Sequence, residues 1–138
     1  MIAKKTGRKF IDTDKMIEEH SCLSIPEIFK RYGESRFREL ESEMITKASA
    51  EHSAVIATGG GSVLNPSNIK QLKKNGKVFF IDRDLELLKS GGNRPLSKDS
   101  DAVRELFIKR EPLYRSLSDI TVRNNSSIEE CVNEICKY

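Results

Sequence analysis

Short runs of consecutive apolar residues alternate along the chain with longer stretches in which apolar positions recur every three or four residues. Residues 9–12, 54–58, 77–82 and 119–122 are the short β-rich runs, of a length that suits strands. Helical spacing predicts helices over 14–19, 24–31, 33–51, 66–74, 84–90, 101–117 and 127–137. Strands alternating with helices of this length read as βαβ units, so the predicted fold class is α/β with a mostly parallel sheet. The helix starts carry the expected punctuation. Ser24-x-x-Glu27 is a capping box, Pro66 follows Asn65 as it does at a first helical position, and Ser127 precedes Glu129 and Glu130. Phe29, Phe37, Leu40, Met44 and Ile45 form a stripe that faces a core, with Glu39, Glu43 and Lys47 turned to solvent.

No repeat, low-complexity tract or linker-like shift interrupts this pattern, so the 138 residues read as a single domain. With 33% charged and 37% hydrophobic residues, the chain is globular rather than disordered. Its 24 basic and 21 acidic residues leave only +3, too little for a large nucleic-acid footprint. The basic run Lys70, Lys73, Lys74 and Lys77 has no aromatic residue interleaved for base stacking and reads as a solvated face. The longest apolar runs, 54–57 and 78–81, fall far short of the roughly 18 residues that cross a bilayer. The N-terminus has charge without the apolar stretch of a secretion signal, and the expected location is cytoplasmic. Cys22, Cys131 and Cys136 show no C-x-x-C spacing, so they are expected as small apolar fillers rather than as disulfide or zinc ligands. His20 and His52 close helices, where a cation favours the helix dipole.

Three features carry candidate chemistry. Phe10-Ile11-Asp12-Thr13-Asp14 sets two carboxylates one residue apart at the carboxyl end of a strand, where open α/β sheets hold ligands. Strand alternation predicts both on one side. One then suits a hydrated magnesium ion and the other a substrate hydroxyl, while the plainer reading is a helix N-cap by Asp14 or Thr13. Next, Gly59-Gly60-Gly61 directly follows an apolar strand. Three glycines in a row cost backbone entropy, and imply either positive φ or close approach to a ligand. Finally, Arg38, Arg94 and Arg110 lie near turns or element ends, and Arg presents a planar fork that matches carboxylate and phosphate. Gly91-Gly92 ahead of Arg94 suits a hinge.

In order and spacing, F-I-D-T-D, I-F-K-x-x-G-E-x-x-F-R-x-x-E, T-G-G-G, N-R-P-L and R-x-P-L-Y resemble the shikimate kinases. The likeness runs from Ile2 to about Val122. It implies a three-layer, phosphate-loop NTPase-like α/β fold of the nucleoside monophosphate kinase kind. It also implies transfer of the γ-phosphoryl of ATP to the 3-hydroxyl of shikimate with magnesium, in aromatic amino-acid biosynthesis. By the same resemblance, Asp12 lies by the metal, and Asp14 holds the reacting region of shikimate and is catalytic. Arg38, Gly59, Gly60, Gly61 and Arg110 bind shikimate, and Arg94, on a lid over about 89–101, meets the phosphates of ATP as a catalytic cation. The substrate-binding part is about 14–62. The resemblance implies small-molecule partners, shikimate and ATP, and a monomer; from the charge and the apolar runs above, no nucleic-acid or membrane partner is expected.

The sequence departs from the family at its start. The motif G-x-x-G-x-G-K-S/T is absent, and residues 1–7 resemble the end of the helix that follows it. The expectation is a chain whose shikimate side is present and whose ATP side is not, so that its turnover alone is in question. The strand lost with that motif is central in the family order. Strands 9–12 and 54–58 are then expected to pair apart from 77–82 and 119–122, leaving a chain of poor stability or one that pairs with another chain. The stretch 122–126 is shorter than the family's adenine-flanking loop, and the lid is shortened too. The alternatives are a gluconate kinase-like enzyme and a non-catalytic shikimate-binding module.

Overall fold

A computed structural model describes residues 1–88 and 99–138. The chain divides into two compact units, Met1–Lys77 and Val78–Tyr138. The first contains α1 (Ile2–Thr6), β1 (Lys9–Asp12), α2 (Thr13–Ser21), α3 (Ile25–Ser49), β2 (Ala54–Ala57), a 3-10 turn (Ser62–Leu64) and α4 (Pro66–Asn75). β1 and β2 pair in parallel, with Lys9 opposite Ala54 and Asp12 opposite Ala57. The helix starts follow the sequence signals. Ser24 and Glu27 close the capping box at α3, and Asn65 accepts from the Ser67 amide at 3.1 Å with Pro66 behind it.

Two predicted helices merge into α3, which is kinked at Gly33 where φ is 81° and ψ is 175°. That conformation is open to glycine and strained for other residues. The kink turns one helix into two arms, and the apolar residues of both arms meet α2. Ile17, Ile28, Phe37, Leu40 and Met44 form the buried cluster, lined by Met16, Leu23 and Ile25. Each such side chain contributes about 1.5–3 kcal/mol on burial. Phe29 departs from the expected stripe. It lies beside the kink and is 38% exposed, although its ring stays 4.7 Å from that of Phe37.

The second unit contains β3 (Phe79–Asp82), α5 (Leu85–Leu88), α6 (Asp99–Leu117), β4 (Ile120–Arg123) and α7 (Ile128–Ile135). β3 and β4 are also parallel, with Asp82 opposite Arg123. Val78 sits just before β3, its amide donating to the Asp119 carboxylate at 2.7 Å. Val122, Cys131, Val132 and Ile135 are buried, and Phe80 stacks on Tyr114 at 5.0 Å. Among the described residues the strands pair only as β1 with β2 and β3 with β4. Of the three cysteines only Cys131 is the expected filler; Cys22, at a helix end, and Cys136, after α7, are exposed. No described helix is long and apolar enough to cross a membrane.

Candidate active site

Asp12 is the last residue of β1 and the N-cap of α2. Its Oδ1 accepts the backbone N–H of Asp14 at 3.0 Å and of Lys15 at 3.4 Å. The cap is therefore Asp12, not Asp14 or Thr13, because the chain turns helical at Thr13. For the same reason strand alternation does not reach Asp14, which stands on the first turn of α2. Thr13 is fully buried, and its hydroxyl donates to the Ala57 carbonyl at 3.3 Å, fastening the start of α2 to the end of β2.

This places Asp14 against the glycine turn that follows β2. A Cβ on Gly59 would stand 3.1 Å from Asp14 Oδ1 and 3.3 Å from Glu41 Oε2. A Cβ on Gly61 would fall on the Arg38 guanidinium. The positive φ offered as one reason for these glycines is not found, since Gly33 and Gly7 are the described glycines with positive φ, and the groups that close on Gly59 and Gly61 belong to the chain itself rather than to a ligand. The approaching groups are the side chains of α2 and α3. The turn is held by bonds from Ser62 N to Gly59 O and Leu64 N to Gly61 O, both 3.1 Å. Gly60 is exposed at its crest.

Arg38 reaches that turn from α3. Its Nη1 donates to Glu41 Oε1 at 2.8 Å, and its Nη2 lies 3.3 Å from Glu34 Oε1. Glu41 is 1% exposed. Burial acts to lower the basicity of Arg38, but hydrogen bonding and charge from Glu41, then Glu34, hold its pKa above the ordinary value. The Asp14 carboxyl is raised as well, which for an acid disfavours the charged form: burial, then the charges of Asp12 and Glu18, raise its pKa, against a smaller opposing pull from Arg38. Asp14 Oδ1 is buried and accepts no hydrogen bond from the described residues. A buried carboxylate oxygen with no donor is costly to leave so, and it is suited to a ligand hydroxyl.

The first unit thus gathers Asp12, Asp14, Arg38, Gly59, Gly60 and Gly61. Arg110 is half-buried on α6 of the second unit. Arg94, Gly91 and Gly92 lie outside the described residues, as does most of the lid segment. Glu41 stood inside the F-R-x-x-E motif and was given no role. Its signal was a glutamate one turn from Arg38, on the helical face that buries Phe37, Leu40 and Met44. For magnesium, the described residues hold no group of three or more carboxylate, His or Cys side chains. Asp12 spends Oδ1 on the cap and leaves Oδ2 outside those bonds, which fits an ion that keeps most of its water and takes one or two carboxylates.

The family model described as shikimate kinase matches residues 1–138. A shikimate kinase of Thermoanaerobacter pseudethanolicus is 44% identical, across 99% of this chain and 84% of the relative. One from Thermodesulfovibrio yellowstonii is 40% identical, across 99% and 83%. Among solved structures, shikimate kinase from Acinetobacter baumannii in complex with shikimate superposes with a TM-score of 0.88 at 30% identity, covering 99% of this chain and 80% of that one. The Aquifex aeolicus enzyme gives 0.86 at 33% identity, covering 99% and 83%. The α/β, phosphate-loop NTPase-like fold class expected from the sequence stands.

Proposed function

The chain belongs to the shikimate kinase family, which makes it a phosphotransferase, and on that footing we propose that its reaction is transfer of the γ-phosphoryl of ATP to the 3-hydroxyl of shikimate. In this reading it acts in the cytoplasm, in aromatic amino-acid (chorismate) biosynthesis. The observation that carries the substrate assignment is the meeting of Asp14, Arg38 and the Gly59–Gly61 turn, with Arg38 aimed by buried Glu41.

The roles follow from chemistry. Arg38 pairs with the shikimate carboxylate through its forked N–H groups, and the R-x-P-L-Y motif makes Arg110 a further shikimate-binding residue. The glycine turn lets Asp14, Glu41 and Arg38 close on the backbone, since no Cβ intervenes, and so gathers these side chains around the substrate. Asp14 accepts the hydrogen bond of the reacting hydroxyl with its donorless Oδ1 and takes the proton as the new P–O bond forms and the bond to the leaving ADP oxygen breaks. A raised pKa makes Asp14 a better proton acceptor than an ordinary aspartate. A magnesium ion, for which Asp12 is the carboxylate on offer, supplies neutralisation of phosphate charge. Arg94 is the further cation for the phosphates, on a lid over about 89–101 of one shikimate kinase-like domain.

One observation favours a second reading. The 138 residues contain no G-x-x-G-x-G-K-S/T motif, so the backbone cradle and lysine that such a loop gives to ATP are not supplied by them. A shikimate-binding module without turnover is the form this would take. Phosphorus NMR of the chain with ATP, magnesium and shikimate separates the two. A phosphate ester on shikimate with release of ADP identifies the kinase. Shikimate binding without ATP consumption identifies the module. A phosphate ester formed on gluconate in preference to shikimate overturns both.

A further inference from the structure

α6 carries Pro112 in its interior. Proline has no N–H to give the carbonyl four residues back, and its ring crowds that carbonyl, so a helix is free to bend there. Arg110 sits two residues before this weak point. An arginine on the far side ties it down. Arg115 Nε donates to Glu111 Oε1 at 2.8 Å, spanning the proline, while Arg115 Nη2 donates to Asp82 Oδ2 at 2.8 Å. Asp82 is the buried last residue of β3. The guanidinium also lies 5.7 Å from the centre of the Phe80 ring, which stacks on Tyr114. One planar fork therefore binds the residue next to Arg110 and the carboxyl end of β3 at once. Lysine, a single point donor, cannot make both bonds in these directions.

We propose that Arg115 is a positioning residue for Arg110: through Glu111 and Asp82 it fixes the Pro112 turn of α6 and so sets the direction in which α6 presents the Arg110 guanidinium. This rests on the reading of Arg110 as a shikimate-binding residue. The step from structure to affinity is geometric, because a displacement of about 1 Å in a charged fork is enough to forfeit a bidentate bond.

The test is a double-mutant cycle on the full chain, reading shikimate affinity by calorimetry, with circular dichroism as the fold control. Arg115→Ala is expected to weaken binding by about tenfold, with Arg115→Lys recovering helix content more fully than affinity. In an Arg110→Ala background Arg115→Ala is expected to add nothing, because the residue it positions is gone. A fall in melting temperature with no change in affinity, or an effect that simply adds to that of Arg110→Ala, overturns the proposal. If Arg115→Ala does not fold, Asp82→Asn, which keeps the shape of the partner, carries the same cycle. Arg110→Ala with unaltered affinity overturns the assignment of Arg110 itself, and the positioning role with it. Arg110→Ala weakened and Arg115→Ala neutral overturns the positioning role alone.

Discussion

Arg38 and Glu41 face each other across one turn of α3 at 2.8 Å, the arginine partly open to solvent and the glutamate 1% exposed. The pair aims a cation at the Gly59–Gly61 turn. Removing the arginine takes the guanidinium from a buried carboxylate, a change that typically costs about 3–5 kcal/mol. Arg38→Ala should therefore lose both shikimate binding and stability. Arg38→Met combined with Glu41→Leu should regain most of the stability in a urea melt while binding stays lost, which separates the two roles.

Gly61→Ala puts a methyl group where the Arg38 guanidinium lies. The end of a long side chain moves more easily than backbone, so the expected result is displacement of Arg38 rather than unfolding. Calorimetry should show shikimate affinity reduced by about tenfold or more, with circular dichroism near that of the parent.

Asp14 carries a folded-state pKa raised above 3.8 by burial and by Asp12 and Glu18. A raised carboxyl favours the protonated form in the fold, so the charged form costs stability at neutral pH, and the cost is relieved as pH falls through the raised pKa. Asp14→Asn is thus expected to melt higher than the parent near pH 7. That advantage should vanish below about pH 3.8, and shikimate binding should be lost at neutral pH. A lower melting temperature at pH 7 would contradict the burial account.

Gly33 holds φ 81° and ψ 175° between the two arms of α3. Gly33→Ala has open space for its methyl but not the backbone freedom, and should cost about 1–3 kcal/mol in a urea melt. The loss should appear as stability, with the site chemistry following only as α3 re-aims Arg38.

β2 and β3 each pair on one edge only among the described strands. A two-stranded sheet is marginal by itself and depends on the helices packed against it for its stability. The chain alone is expected to unfold in urea with less than about 5 kcal/mol, and a cooperative monomer above that value would contradict this.

Strand and helix positions were legible because their signals are local: a run of apolar residues, a Ser24 to Glu27 spacing, an Asn-Pro start. The motif residues Asp12, Asp14, Arg38 and the three glycines were legible for the same reason. Their arrangement was not. That Asp12 caps α2, so that Asp14 leaves the strand, depends on one turn of φ and ψ that no spacing rule fixes. Apart from standing one turn from Arg38 on the apolar face, Glu41 carries no local signal that sets it apart from the other helix charges, since burial at that position becomes visible only when the helix packs. The Asp82 to Arg115 bond joins residues 33 apart, a distance at which side-chain pairing leaves no trace in a single sequence.

The central claim is that the first unit holds a shikimate site built on Arg38. Calorimetric titration of shikimate into the parent chain and into Arg38→Ala tests it most directly. The account predicts one site per chain in the parent and no measurable heat in the variant, with gluconate silent in both. Equal binding by the two proteins, or gluconate binding in place of shikimate, would contradict it.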